Sequence, residues 1–277
     1  MFSAALQQVE KYTLPVIFSQ RLASGQIASG CGSFIVLNPE GWILTAAHVV
    51  QGISLITQHK AEFDAYQQQC QSIATAVQLS DKAKRKMIKG LAKNPQWVIN
   101  QAVMWGFPQS IIKDFTFHSD DLGDFAIGQL DPFDPSWVSC YPIFKNPSEP
   151  MLPGTSLCRL GYPFHKIDAT FNESTATFEL AAGVLPIPRF PNDGIHTRIA
   201  MVSSPDGSRQ AKFLETSSPG LMGQSGGPIF DRNGHVWAMQ CKTQSLSLGF
   251  APEVVHGGKK TICLLYTSDA ADDLTRV

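Results

Sequence analysis

Residues 223–230 read GQSGGPIF, a serine framed by glycines and followed directly by apolar residues. Two earlier segments belong with it, TAAHVV at 45–50 and DFAIGQL at 124–130. A serine hydroxyl becomes a nucleophile at neutral pH only with a base in hydrogen-bond reach, and imidazole suits that role. The imidazole needs an acceptor on its other nitrogen, which a buried aspartate provides. The three segments therefore contain the three kinds of group that nucleophilic catalysis by a serine requires.

The glycines around Ser225 predict a sharp backbone turn. Such a turn lets the N–H groups of Gly223 and Ser225 converge on one oxyanion. The same letters also satisfy the G-x-S-x-G pattern of α/β-hydrolases, which requires a helix after the serine and then an acid and a histidine. Here a hairpin signal, DRNG at 231–234, follows instead, and too little chain remains for the rest of that fold. An α/β-hydrolase is therefore disfavoured.

The composition is that of a globular protein with no strong charge bias. The 277 residues are 43% hydrophobic and 16% charged, with a net charge of −1, so nothing pulls the whole chain toward nucleic acid or an anionic membrane. No apolar run approaches the roughly 18 residues of a membrane-spanning helix. The first residues lack the basic and apolar regions of a signal peptide. We therefore expect a cytoplasmic protein with no membrane association.

The six cysteines form no CxxC pair and show no metal-ligand spacing. An even count would also fit a secreted disulfide framework, but without an export signal isolated reduced thiols are the better interpretation. We expect no metal and no cofactor. The cysteines are Cys31, Cys70, Cys140, Cys158, Cys241 and Cys263.

The strand and turn patterns predict an all-β body with one helical insertion. Short strands are predicted at 31–37 and 42–45, and the β pattern resumes after about residue 115. Between them, residues 58–93 have apolar side chains at steps of three and four, which indicates helix, with Ser80 as a candidate cap of a second helix. We place the insertion at 58–105.

The end of this insertion carries a basic run. Residues 81–93 contain six basic side chains and one acidic one. A patch for nucleic acid or an acidic partner is one interpretation. A solvated helix face is the preferred one, because aromatic residues do not interleave the charges. The basic residues are Lys82, Lys84, Arg85, Lys86, Lys89 and Lys93.

The three segments resemble, in order and wording, the TAAH, D-[IF]-A-[IVL] and G-x-S-G-G-P motifs of trypsin-like (chymotrypsin-fold) serine proteases. Residues 30–34, 160–163 and 248–251 resemble the bacterial intracellular and HtrA-like branches, and the similarity spans about residues 14–255 outside the insertion. The resemblance implies two antiparallel β-barrels, at about 12–135 and 136–262, with the active site in the cleft between them. It also implies a serine endopeptidase acting on peptides or proteins, with Ser225 as nucleophile, His48 as general base and Asp124 as its orienting acid.

Other residues compete for the base and acid roles. Only His48 stands in the TAAH frame, and only Asp124 opens the alternating apolar run that would anchor it beside a barrel core. The competing histidines are His59, His118, His165, His196, His235 and His256, and the competing aspartates are Asp114, Asp120, Asp121 and Asp131.

Several positions depart from the family pattern. Gln224 replaces the aspartate that pairs with a newly cut amino terminus in extracellular relatives, so that activation route is not expected here. Cys31 matches a cysteine that is disulfide-bonded in secreted relatives, but Val49 stands where its partner would be. Pro219 replaces the acid that trypsins carry at the pocket floor, so a preference for Arg or Lys is not supported.

The resemblance implies that the substrate-binding pocket and edge lie near Pro219 and near Gln240, Cys241, Lys242 and Thr243. The departures at Gln224 and Val49 suit an intracellular enzyme that is made in active form or is controlled by another domain or a partner. A second hypothesis is a catalytically silent scaffold of the same fold, which binds peptides by strand addition at the cleft edge.

The last residues differ in character from the rest. Residues 263–277 resemble the translation of a transposase-based sequencing adapter and are predicted to be a non-native tail that packs poorly. On this interpretation the protease domain is 1–262, its second barrel is truncated, and any regulatory domain that followed is missing.

Overall fold

The computed structural model describes residues 1–107, 114–246, 253–256, 259–262 and 265–267. The described chain is mostly β, with two curled half-barrel sheets and few helices, so the expected chymotrypsin-like two-barrel class is confirmed. The first sheet has six strands in the order β4-β1-β2-β3-β6-β5, and all neighbours are antiparallel. Its strands are β1 Thr13–Leu22, β2 Ile27–Val36, β3 Trp42–Thr45, β4 Val98–Trp105, β5 Asp114–Asp120 and β6 Phe125–Asp131.

The second sheet also has six strands, in the order β12-β11-β8-β13-β14-β7. Its neighbours are antiparallel except β7, which runs parallel to β14 at the edge. A separate hairpin, β9 Ala169–Asn172 with β10 Thr177–Leu180, lies between its strands in the chain. The strands of the second sheet are β7 Ile143–Phe144, β8 Ser156–Gly161, β11 Phe190–Ser203, β12 Gln210–Thr216, β13 Pro228–Phe230 and β14 His235–Met239.

One apolar core joins the two sheets. Phe34 and Ile35 of β2 pack with Leu160 of β8 and Phe230 of β13, and all four side chains are fully buried. Burying a side chain of this size contributes about 1.5–3 kcal/mol. Helix α1, Ser3–Val9, adds Ala5 and Val9 to the same core. The sheets are therefore fixed against each other next to the strand ends that carry the motifs.

The helical region starts and ends earlier than the sequence predicts. Helix α2, Ala47–Thr75, begins directly after β3, because Ala47, Val49, Val50 and Ile53 bury one helix face against the first sheet. Helix α3, Asp81–Gly90, is capped as expected by the Ser80 hydroxyl, which accepts from Ala83 N. Residues 98–105, which the prediction included in the insertion, form β4 and pair with β1. The insertion 58–105 is corrected accordingly.

Strand β4 escaped the sequence prediction because its pairing is with a distant strand. The register runs from Val16 opposite Trp105 to Leu22 opposite Val98. Just before β4, Trp97 holds helix α2 on the sheet through a bond from its Nε1 to Glu62 Oε2 at 2.6 Å and through ring contact with Phe63. The part of α2 around Glu62 and Phe63 thus packs against the first sheet, whereas α3 has no buried residue.

Near the end of the chain, the described residues form two pairs of short strands. Strand β15, Gln244–Leu246, pairs with β18, Leu265–Thr267, and β16, Glu253–His256, pairs with β17, Lys259–Ile262. Apart from β18, the predicted tail 263–277 lies outside the described residues, so its non-native origin stays a prediction. In the described part of the chain, no helix has the length and apolar character to cross a membrane.

Candidate active site

The end of β3 and the start of β6 bring His48 and Asp124 together. These strands pair with Thr45 opposite Ala126, and Ala47 N–H donates to Asp124 O at 3.2 Å. The His48 N–H donates to Asp124 Oδ1 at 3.0 Å, and His48 Nδ1 lies 3.1 Å from Oδ1 and 2.9 Å from Oδ2. The carboxylate therefore holds both the backbone and the ring of the histidine.

This contact decides the tautomer of His48. An ionised carboxylate only accepts hydrogen bonds, so Nδ1 carries the hydrogen and Nε2 keeps its lone pair. The Asp124 side chain is 7% exposed and the His48 side chain 23% exposed. The acid is thus shielded from water, while the imidazole remains open to a reacting group.

Asp124 sits in an uncommon backbone conformation. Its φ is +49°, in the left-handed region that aspartate tolerates better than most residues. The preceding turn is closed by Gly123 N–H, which donates to Asp120 Oδ1 at 2.7 Å. Two of the competing carboxylates have other partners: Asp120 pairs with Arg209 at 2.9 Å, and Asp121 accepts from Gln51 at 2.8 Å. Of these carboxylates, Asp124 is the one that meets His48.

The turn that carries Ser225 is tied to the first sheet through Ser33. Ser33 N–H donates to Ser225 O at 2.8 Å, and Ser33 Oγ donates to Gly223 O at 2.7 Å. Thr45 Oγ1, at the end of β3, donates to Ser33 O at 2.7 Å. A Cβ on Gly226 would lie 1.9 Å from Ser33 O and 2.4 Å from Thr45 Oγ1. Ser225 is therefore held beside the strand end that leads into His48.

The hydroxyl of Ser225 makes no hydrogen bond to His48 in the described part of the protein. Such bonds are often long before substrate binds, so this geometry fits an unliganded site. The Gly223 and Ser225 N–H groups have no acceptor among the described residues, whereas Gly223 O is held by Tyr162 N–H at 3.1 Å as well as by Ser33. Within the described part of the chain, both N–H groups predicted for the oxyanion hole are thus free of competing bonds.

Gln224 stands in place of the aspartate that extracellular relatives carry before the serine. Its side chain is fully buried. Its Oε1 accepts from Leu221 N–H at 2.9 Å, and its Nε2 donates to Phe190 O at 3.4 Å. The amide thus stabilises the turn through neutral hydrogen bonds, with no need for a terminal ammonium group.

The structure brings the predicted substrate-binding residues together. Thr243 Oγ1 donates to Gly220 O at 3.0 Å, which joins the segment after β14 to the segment that begins at Pro219. The Gln240 side chain packs on Gly220, where a Cβ would meet its Nε2 at 2.2 Å, and its Nε2 donates to Lys242 O at 2.8 Å. The Lys242 ammonium lies 5.7 Å from the centre of the Phe213 ring. Cys241, which lies between Gln240 and Lys242 in the chain, is partly exposed.

An apolar rim beside the serine turn was missed by the sequence prediction. Met222 is 93% exposed and Phe164 is 76% exposed, and Phe164 meets Phe190 edge-on at 5.2 Å. Gly223 packs against the backbone of Tyr162, and Met222 and Phe164 lie within two residues of this contact along the chain. Exposed apolar side chains of this size are typical of binding surfaces. The sequence signal was only their proximity to the two motifs.

Two curled sheets, an Asp–His pair on one and a glycine-framed serine turn on the other, define the chymotrypsin-like class of hydrolases. The family model for the trypsin-like peptidase domain matches residues 32–239, and the chain belongs to that family. No curated protein sequence matches it significantly. The family implies a serine protease fold and peptide or protein substrates.

Proposed function

We propose that this protein is a serine endopeptidase that uses Ser225, His48 and Asp124. The observation that carries the proposal is the contact of His48 Nδ1 with the buried Asp124 carboxylate, next to a serine turn tied to the same strand end. This arrangement leaves His48 Nε2 as the acceptor for the hydroxyl proton of Ser225.

The reaction follows from these roles. Ser225 Oγ attacks the peptide carbonyl carbon while His48 Nε2 takes its proton, and the carbonyl oxygen becomes an oxyanion. The N–H groups of Gly223 and Ser225 donate to that oxyanion. His48 then gives the proton to the leaving amine, and an acyl-enzyme remains. Water, deprotonated by His48, attacks the acyl group and releases the second product.

We propose a cytoplasmic, bacterial enzyme that is made in active form or controlled by another domain or partner. The neutral bonding of Gln224 supports independence from a newly cut amino terminus. Burial raises the pKa of Cys31 to about 12 and that of Cys158 to about 11, so both thiols stay protonated and unreactive at neutral pH. The motif resemblance to bacterial HtrA-like enzymes supports the origin.

A fluorophosphonate probe tests the catalytic role of Ser225. The full chain is treated with the probe, and the labelled residue is located by peptide mass spectrometry, alongside hydrolysis of a fluorescent casein. We expect labelling at Ser225 and loss of both signals in Ser225→Ala. Ser148→Ala is the matched control, because Ser148 is exposed on a loop of the second half. Absence of labelling with intact fold would favour the silent peptide-binding scaffold.

A further inference from the structure

Strand β8 of the second sheet carries a buried arginine at its centre. Arg159 is 2% exposed, and its neighbours across the sheet are Asn192 of β11 and Ile229 of β13. Side chains of directly opposed residues share one face of a sheet. Arg residues are almost never fully buried without a partner, so this position calls for an account of its charge.

The guanidinium of Arg159 is incompletely satisfied. Its Nη2 donates to Thr216 Oγ1, while its Nη1 is buried with no acceptor among the described residues. The nearby carboxylates have other roles. Glu215 pairs with Arg198 at 2.9 Å, and Asp193 stands opposite Cys158, so it faces away from Arg159 and is exposed. The described residues therefore provide no counter-charge.

The face of the sheet on which Arg159 lies is covered by the segment around Pro219, which belongs to the predicted substrate-binding pocket. Asn192 Nδ2, on the same face, donates to Pro219 O at 3.0 Å. Thr216 Oγ1 lies 3.1 Å from Ser218 O, to which it donates. The Ser218 hydroxyl is a second buried polar group with no partner in the described residues. Two unsatisfied donors thus lie beside the segment 217–220, which Gln240 and Thr243 contact at Gly220.

The protonation state of Arg159 favours an anionic ligand. Burial lowers the pKa of Arg159 to about 10, which leaves the guanidinium charged at neutral pH. A buried cation without a counter-ion is unfavourable, and a carboxylate that accepts from guanidinium and hydroxyl together removes that cost. A neutral or cationic substrate side chain in the same place would leave the unfavourable energy of the unpaired guanidinium unchanged.

We propose that Arg159 and Ser218 form the base of the specificity pocket and that this protein selects an acidic side chain, Glu or Asp, at the residue whose carbonyl is attacked. The inference rests on the proposed function for the position of the scissile bond. Arg159 acts here as a specificity-determining residue, and the substrate carboxylate supplies the acceptor that the described residues do not provide.

The charge preference can be measured without catalysis. Fluorescein-labelled peptides Ala-Ala-Pro-Glu and Ala-Ala-Pro-Gln are titrated with Ser225→Ala protein and followed by anisotropy. We expect the Glu peptide to bind at least about 10-fold more tightly than the Gln peptide, since a charge-assisted pair is stronger than a neutral one. Adding Arg159→Met should reduce the ratio to near one, Arg159→Lys should retain part of it, and Arg232→Met on the exposed hairpin should leave it unchanged.

Hydrolysis then gives the same comparison in the intact enzyme. With Ala-Ala-Pro-X p-nitroanilides, kcat/KM for Glu should exceed that for Gln, Leu and Lys by about 100-fold, because the site is built for a charged acceptor. Equal binding of Glu and Gln peptides, or a Glu preference that survives Arg159→Met, would overturn the proposal. A Glu preference in binding with no fluorophosphonate labelling would instead refute the catalytic function and leave this inference standing.

Discussion

The two halves of the candidate site are held in different ways. His48 and Asp124 are joined by bonds within the first sheet and its helix: the paired ends of β3 and β6, the Ala47–Asp124 backbone bond and the direct carboxylate contact. The Ser225 turn depends on both sheets. Ser33 reaches it from the first sheet, while Gln240 of the second holds its backbone through Gly226 N–H at 2.7 Å.

This difference assigns different sensitivities to the halves. The His48–Asp124 pair can survive small displacements of the second sheet, because among the described residues none of its bonds crosses to that sheet. The nucleophile turn cannot, because its shape is the joint result of contacts from two sheets. Disturbing the turn should therefore change activity and stability together, whereas disturbing the pair should change activity with little effect on folding.

The largest effect is expected from removing either reacting side chain. Ser225→Ala and His48→Ala should each lower kcat by about 10⁴–10⁶-fold, and the double variant should lose no more than the worse single one, since the residues act as a unit. Steady-state kinetics on a peptide substrate measures this. Additive losses would show that the two halves do not work on one reaction.

Asp124→Asn should be nearly as severe, at about 10³–10⁴-fold in kcat, because an amide NH₂ in place of the carboxylate favours the wrong tautomer of His48. The melting temperature should change little. Asp121→Asn is the matched control, since Asp121 is exposed and accepts a hydrogen bond from Gln51 on the surface. Equal kinetics of the two variants would contradict the role of Asp124.

Gly226→Ala tests the joint turn. A Cβ there would overlap Ser33 O, and φ is +89°, so we expect about 1–3 kcal/mol of destabilisation and a strong loss of fluorophosphonate labelling. Gly52→Ala is the control, because a Cβ on Gly52 meets nothing within 4 Å. On helix α2 that change should stabilise by about 0.5–1 kcal/mol. Thermal denaturation distinguishes the two.

Ser33→Ala should have a smaller effect that falls on the nucleophile half alone. It removes one of the two donors to Gly223 O, whose other donor is Tyr162 N–H, so we expect a loss of about 0.5–1.5 kcal/mol of stability. We expect about a 10-fold loss in kcat/KM, since loss of this bond loosens the turn. Ser29→Ala on the same strand, whose hydroxyl meets Ser19 at 2.9 Å, should leave kcat/KM unchanged.

The smallest effect is expected at the exposed ion pair between the halves. Arg209, at the tip between β11 and β12, pairs with Asp120 of β5 at 2.9 Å. Arg209→Ala should lower the free energy of unfolding by no more than about 1 kcal/mol, with the difference vanishing in high salt. Arg232→Ala, also exposed, should show no salt-dependent difference. A large effect would mean that the pair couples the halves.

Much of the site could be predicted because it depends on residue types in a local frame. The segments that contain His48, Asp124, Ser225 and Gly223 have residue patterns that indicate their chemistry directly. The same patterns indicate the class of the fold. The boundaries of the insertion could not be predicted. Whether residues 98–105 form a strand depends on their partner β1, which lies far away in the sequence.

By itself, the sequence determined which side chains are available for catalysis and that the body is mainly β, since short-range patterns of glycine, apolar alternation and polar residues are sufficient for that. Only the tertiary structure decided which distant groups meet. It begins a helix at Ala47, it makes Ser33 a link between the two halves, and it buries Arg159 with no counter-ion among the residues that the structure describes. Burial and hydrogen-bond satisfaction are properties of the packed sheets, and no single segment of the chain contains them.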